Sequence, residues 1–376
     1  MRIASLVAGL AALVVMTVGV IASPGDWLQA TPGRILVLPA DHASHPDYRL
    51  EWWYYTGQLA TRDGRRFGYQ VTFFRIGVDR APANPSRWAV RDLHMAHFAV
   101  TDVRAGVHRV AERMNRSGPG WAGAATDRLR VWNEQWEVTQ SDAGRQRLRA
   151  SDEGLSLELD LTEARPVVRH GLDGYSQKGP SSGNASYYYS FTRMPTTGRL
   201  TLDGQTFDVS GDSWMDHEFG SSVLEGAQRG WDWFSLQLSD GRDLMIFQLR
   251  DASGAIDPRS GGTLVESDGT TRPVRVVPSP LQPSAIVGFS LTPGRTWRSP
   301  VSEARYPVAW RLAIPGLDAD LSVSTPVDAQ ELRTTRSTGV TYWEGTIDVR
   351  GTLRGRPVSG RGYLEMTGYA GRVPGL

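Results

Sequence analysis

Alternation with a period of two restricts this chain more than any other feature. Phe67, Tyr69, Val71 and Phe73 fall on one face of the run from Arg66 to Ile76. Leu155, Leu157, Leu159 and Leu161 alternate with Ser156, Glu158 and Asp160, and Tyr187, Tyr189 and Phe191 repeat the pattern. Val308, Trp310, Leu312 and Ile314 do the same further on. Successive side chains of a strand point to opposite faces, so each run predicts a strand with one apolar side. Asp63-Gly64, Asp203-Gly204, Asp240-Gly241 and Asp268-Gly269 stand between such runs, where a tight hairpin needs residues that tolerate positive φ. Beyond residue 22 no segment sustains a helical apolar stripe. The expected fold class is all-β, as antiparallel barrels. The 376 residues suit two barrels side by side, at 48–222 and 223–372.

The N-terminus is read separately. Met1-Arg2 is followed by an apolar run from Ile3 to Ala22 and then by Ser23-Pro24-Gly25. A basic start, a hydrophobic stretch and small residues make a secretory signal, with cleavage expected near Ala22. The run is also about long enough to cross a bilayer, so an uncleaved anchor is the alternative. A periplasmic or secreted location follows, with membrane contact only through that segment. The chain has no cysteine, which excludes a disulfide framework, a thiolate nucleophile and a Cys-ligated metal. Formal net charge is +1 with acids and bases interspersed, which argues against nucleic acid as a partner. Lys178 is the only lysine, a bias that reflects codon composition as much as function.

Chemistry concentrates between Gly211 and Phe234, where three tryptophans, one histidine and five carboxylates are punctuated by glycines. Asp216, His217 and Glu218 are the candidate catalytic residues, because carboxylates and histidine move protons. Trp214, Trp231 and Trp233 offer faces for an apolar or cationic group. An aromatic-rich core with an ordinary turn explains the same density. The cluster falls at the seam of the two expected barrels, where ligands often bind.

Other features carry competing readings. His94 and His97, three apart on a strand, point to opposite faces and cannot share a metal. A structural role suits each, with His97 retained as a candidate ligand contact. No histidine spacing argues for zinc, and no metal or cofactor is expected. Trp52 and Trp53 lie on opposite faces. In one reading one packs inside the barrel while the other covers its end; in the other, Trp53 and Tyr55 share a cavity wall with Glu51. Trp231 and Trp233 share a face with Ser235 and Gln237, a mixed lining expected inside the second barrel. Phe234, Leu236 and Leu238 would then pack against the first. Gly179-Pro180-Ser181-Ser182-Gly183 has the letters of a nucleophile elbow but neither the preceding strand nor the following helix, so it reads as a loop. The wider stretch from Gly171 to Asn184 reads as a long surface loop, a candidate lid.

Six motifs occur in order: Glu51-Trp52-Trp53-Tyr54-Tyr55-Thr56-Gly57, His94 to Asp102, Ser213 to Glu218, Gly230-Trp231-Asp232-Trp233-Phe234, Tyr342-Trp343-Glu344-Gly345 and Gly362 to Tyr369. Together they resemble the CrtC/AttH-like family. It includes acyclic carotenoid hydratases and secreted lipocalin-like proteins, often labelled hydrolases, that accompany ABC exporters. The resemblance implies two lipocalin-like (calycin-type) barrels and an ABC transporter as a partner. Hydration of a terminal isoprenoid double bond needs a neutral acid to protonate carbon and aromatic faces beside the cation. Asp216, Glu218 and Asp232 are the acids to consider, with His217 positioning water. The chain departs from the hydratase pattern in reading His217-Glu218-Phe219 instead of His-x-Trp. It also reads Phe247-Gln248-Leu249 where an acid is expected.

Two functions follow. The first is an exported carrier of a lipid, isoprenoid or other apolar molecule, lined by Trp53, Tyr55, His97, Trp214, Trp231 and Trp233. The alternative is a hydratase or hydrolase on an isoprenoid-like substrate, with a carboxylate proton donor. They part on whether Asp216, His217 or Glu218 points into a closed apolar cavity, where an unpartnered carboxylate is costly.

Overall fold

The structure is a computed structural model describing residues 27–141, 144–181, 183–221, 224–371 and 373. The expected export segment, 1–22, lies outside the described residues, as do Ser182 and the expected bounds 222, 223 and 372. Among the described residues every regular element is a strand, apart from the single 3-10 turns Ala40–His42 and Pro315–Leu317. The turns form as their residues dictate: Gly64, Gly204, Gly241 and Gly269 all have positive φ.

Two large sheets carry the fold. The first holds thirteen strands between Leu50 and Gly220, the second eleven between Gln228 and Met366. Each curls around its own apolar interior into a barrel-like half, the lipocalin-like architecture expected. Trp53, Tyr55, Phe67, Leu157 and Tyr189 fill the first interior. Phe234, Leu236, Trp310, Leu312 and Trp343 fill the second. Fully burying such side chains contributes about 1.5–3 kcal/mol each.

A third cluster, of Tyr54, Tyr188, Trp214, Trp233, Phe247 and Tyr363 among others, belongs to neither interior. It lies between the sheets. Cross-sheet hydrogen bonds run alongside it: Gln58 Nε2 donates to the Gly362 carbonyl at 2.8 Å, and Thr346 Oγ1 to Gln58 Oε1 at 2.7 Å. Arg193 pairs with Asp243 at 2.6 Å. Polar contacts between the sheets therefore flank the apolar seam.

Candidate active site

Register places the chemistry. In the first sheet Leu50–Ala60 pairs with Gln205–Gly220, setting Trp52 opposite Glu218, Trp53 opposite His217 and Tyr54 opposite Asp216. The pleat sends alternate residues to opposite faces, so the three consecutive candidates separate. Asp216 and Glu218 face the seam with Trp52 and Tyr54. His217 faces the interior of the first barrel. The three are not one cluster, because a strand cannot present neighbours on one side.

The seam holds a partly open cavity of about 110 Å³. The first sheet supplies Trp52, Tyr54, Phe74 and Tyr188 beside the two acids. The second supplies Trp231, Trp233, Phe247 and Tyr342. It also supplies two acids absent from the sequence-based set, Glu344 and Glu365, which stand directly opposite each other on Thr341–Leu353 and Arg356–Met366. Both belong to motifs that carry the family resemblance. Their partnership depends on strand pairing, which neither segment announces.

Each acid has its own environment. Asp216 accepts hydrogen bonds from Tyr188 Oη at 2.7 Å, Trp214 Nε1 at 2.6 Å and Ser190 Oγ. Burial nevertheless pushes it up to about 7, against those hydrogen bonds and with help from the Glu218 charge. Glu218 accepts from Ser186 Oγ and lies 2.8 Å from Lys178 Nζ. That ammonium sits 5.0 Å from the ring centres of both Tyr188 and Phe247. The single lysine is thus a wall of the cavity, brought in by the Gly171–Asn184 stretch. Glu344 is the least supported: its Oε1 and the facing Tyr54 hydroxyl form no well-aligned hydrogen bond, although Tyr54 is close enough to favour the carboxylate. Burial, then the charge of Glu365, hold Glu344 well above the usual carboxylate range. Glu365 is also raised by burial, although Trp231 Nε1 donates to it at 3.0 Å.

The expected ligand contacts divide. Trp231 and Trp233 line the cavity. Trp214 packs behind it against Trp233, ring centres 6.1 Å apart. His97 lies behind Phe74 and bonds Tyr342 Oη at 2.8 Å and Ser337 Oγ at 3.0 Å. Trp53 and Tyr55 are on the wrong face: Trp53 Nε1 donates to the His42 carbonyl and Tyr55 Oη to Gln146, both inside the first barrel. Of the two neighbouring indoles, Trp53 packs inside the barrel, while Trp52 lines the seam and does not cover a barrel end. The faces of Gln228–Leu238 are also opposite to expectation, for Phe234, Leu236 and Leu238 fill the second interior while the tryptophan face meets the first barrel. Asp232 turns inward to Arg250, 2.7 Å away, and is no candidate acid for the seam.

On the other side of Gln205–Gly220 lies an ion cluster. Glu51, fully buried, accepts from Ser44 Oγ at 2.7 Å and the His45 amide at 2.9 Å, and meets Arg75 Nε at 3.0 Å. His217 Nε2 lies 3.0 Å from Glu51 Oε1, and its Nδ1 2.9 Å from Tyr189 Oη. Burial raises the Glu51 carboxyl, but hydrogen bonds from His217 and His45 and the Arg75 charge hold it well below its usual value. His45, Glu51 and His217 bring donor atoms within 4.8 Å of one another. Arg75 already supplies the compensating positive charge there, and Asp41 engages the second His45 nitrogen at 2.9 Å. The arrangement suits a structural ion network better than a metal.

A hydrogen-bonded chain leaves the seam. Ser190, which donates to Asp216, lies 2.6 Å from His170 Nε2, and His170 Nδ1 lies 2.8 Å from Thr263 Oγ1. Thr263 and His170 line a second chamber of about 50 Å³, which shares Phe247 with the first. Burial lowers His170 to about 3, so its imidazole is neutral, with one donor and one acceptor nitrogen.

The comparisons agree with this architecture. A crystal structure of an AttH from Nitrosomonas europaea is 35% identical, with a TM-score of 0.80 over 91% of this chain and 99% of that one. The crystal structure of kievitone hydratase from Nectria haematococca has a TM-score of 0.68 at 16% identity, over 93% and 97% of the two chains. In sequence, kievitone hydratase of Fusarium solani subsp. phaseoli is 23% identical over 233 residues, spanning 61% of this chain and 61% of that protein. The AttH-like family model matches residues 29–369. The chain belongs to the AttH-like family.

Proposed function

We propose that the seam cavity is the active site of a hydratase-type enzyme acting on an isoprenoid-like double bond, with Glu344 as the proton donor. The observation that carries this reading is a fully buried carboxyl, held neutral by burial and by the facing Glu365, with the Tyr54 hydroxyl as its neighbouring donor in an aromatic-walled cavity. A carrier of apolar ligands gains nothing from four carboxyl groups there, and each is costly to desolvate. A relative named as a hydratase points the same way. The carrier reading favoured by sequence therefore yields to its alternative.

The chemistry divides between the acids according to their surroundings, since groups whose environments separate their proton affinities take opposite roles. Glu344, neutral, delivers its proton to the less substituted alkene carbon, and the π electrons form the new C–H bond. The faces of Trp231, Trp233 and Tyr54 stabilise the tertiary cation. Water captures it, and its released proton passes to Asp216, whose three donors favour the carboxylate. Glu344 then regains a proton from solvent as Asp216 releases one, so the net change is addition of one water. The chain through Ser190, His170 and Thr263 provides a path for that proton to leave. The cavity is close in size to the roughly 150 Å³ site that holds benzene in an apolar interior, so it suits a branched five-carbon group.

Glu344→Gln tests the assignment. It keeps the shape and removes the acid, so turnover of a prenyl-bearing alkene should fall about a hundredfold or more. The melting temperature should hold or rise, because a neutral amide of the same shape replaces an acid that is costly to ionise there. Full turnover in a folded Glu344→Gln protein would end this role.

A further inference from the structure

The second chamber, beyond Phe247, shares His170 and Thr263 with the proton path, but its arginines have no part in the mechanism. Its wall holds Arg259 and Arg275 but, among the described residues, no carboxylate. Arg259 is compensated, lying 3.3 Å from Asp257 Oδ1. Arg275 is not. Its Nη2 donates to the Pro258 carbonyl at 3.3 Å, while its Nε is buried with no partner.

The backbone makes room for this guanidinium. Arg275 pairs with Gly261 across Gly261–Val265 and Thr271–Arg275. A Cβ at Gly261 would meet Arg275 Cδ at 3.3 Å and Nη1 at 3.4 Å. A half-buried arginine with an idle donor, in a pocket lined by no acid among the described residues, gains a charge-assisted hydrogen bond when an anion enters.

We propose that this chamber is an oxyanion subsite, in which Arg275 and Arg259 bind a carboxylate or phosphate group of the molecule whose apolar end occupies the seam. The inference rests on the seam being the substrate site. It assigns the substrate class: an amphiphile with an unsaturated branched end and an anionic group, laid past Phe247. The Thr263–His170–Ser190–Asp216 chain joins the two chambers, so the anion and the reacting double bond are sensed by one hydrogen-bonded path.

Equilibrium binding, read by quenching of the seam tryptophans, tests this without turnover. Geraniol, geranic acid and geranyl monophosphate share one apolar tail and differ in the head. At least one anion should bind about tenfold more tightly than the alcohol, and which one does so separates carboxylate from phosphate. Arg275→Met should abolish that preference while leaving geraniol affinity unchanged. Arg275→Gln, which keeps a neutral donor, replaces it if the first variant does not fold. Equal affinity for all three heads, or a preference that survives in either folded variant, overturns the subsite. An absence of hydration activity alongside a retained anion preference counts against the catalytic reading and leaves the subsite standing.

Discussion

Asp216 is held between opposing forces. Burial favours its neutral form, while Ser190, Tyr188 and Trp214 donate to its charged form. If it takes up the proton of the attacking water, it must be ionised, so turnover should rise with pH through about 7. Asp216→Asn should lose about a hundredfold in rate and abolish that rise, as a pH–rate profile would show. Its stability has the opposite dependence. A carboxyl raised from 3.8 to about 7 binds its proton more tightly when folded, so the folded state loses stability as pH rises between those values. Asn escapes this loss, and the variant's melting temperature should gain on the parent's from pH 4 to 7; a constant gap contradicts the burial argument. Asp216 and Glu218 were legible as candidates because they stand together among tryptophans. Glu344 and Glu365 were not, since they meet only through pairing of strands late in the chain. Lys178 was equally hidden, its single occurrence resembling compositional bias until the loop was seen to place it beside Glu218.

The strand Gln205–Gly220 has two buried faces with different duties. The seam face carries Asp216 and Glu218; the inner face carries His217 into the Glu51 ion network. Sequence alternation identified which residues share a face. It left open which face is core, because Gln228–Leu238 is buried on both sides and either face suits an interior. That is why the tryptophan face was assigned to the wrong space. The inner network makes its own prediction. Removing one partner of a buried ion cluster leaves the rest uncompensated, so Glu51→Gln should cost about 3–5 kcal/mol in denaturant unfolding. Its pH dependence has two limbs. Glu51, lowered from 4.5, contributes stability that is full above that value and is lost as pH falls through its folded value. His45, raised from 6.5 by Asp41 and Glu51 against its own burial, contributes stability that is full below 6.5 and is lost as pH rises past its folded value. The gap in melting temperature between the parent and Glu51→Gln should therefore be widest between pH 4.5 and 6.5 and narrow on either side. An unchanged profile would exclude the network as a source of stability.

The whole molecule is two barrels whose interiors are filled by their own side chains, so the space for chemistry lies between them. Each half contributes what the other lacks: the first brings Asp216, Glu218 and Lys178, the second Glu344, Glu365 and the paired tryptophans. The direct test is to incubate the protein with prenyl-bearing alkenes in heavy-oxygen water containing deuterium, and to analyse products by mass spectrometry. The account predicts a tertiary alcohol carrying one heavy oxygen at the substituted carbon and one deuterium at its neighbour, formed by the parent and lost in Glu344→Gln. Alkenes that quench the seam tryptophans yet emerge without either label would contradict it.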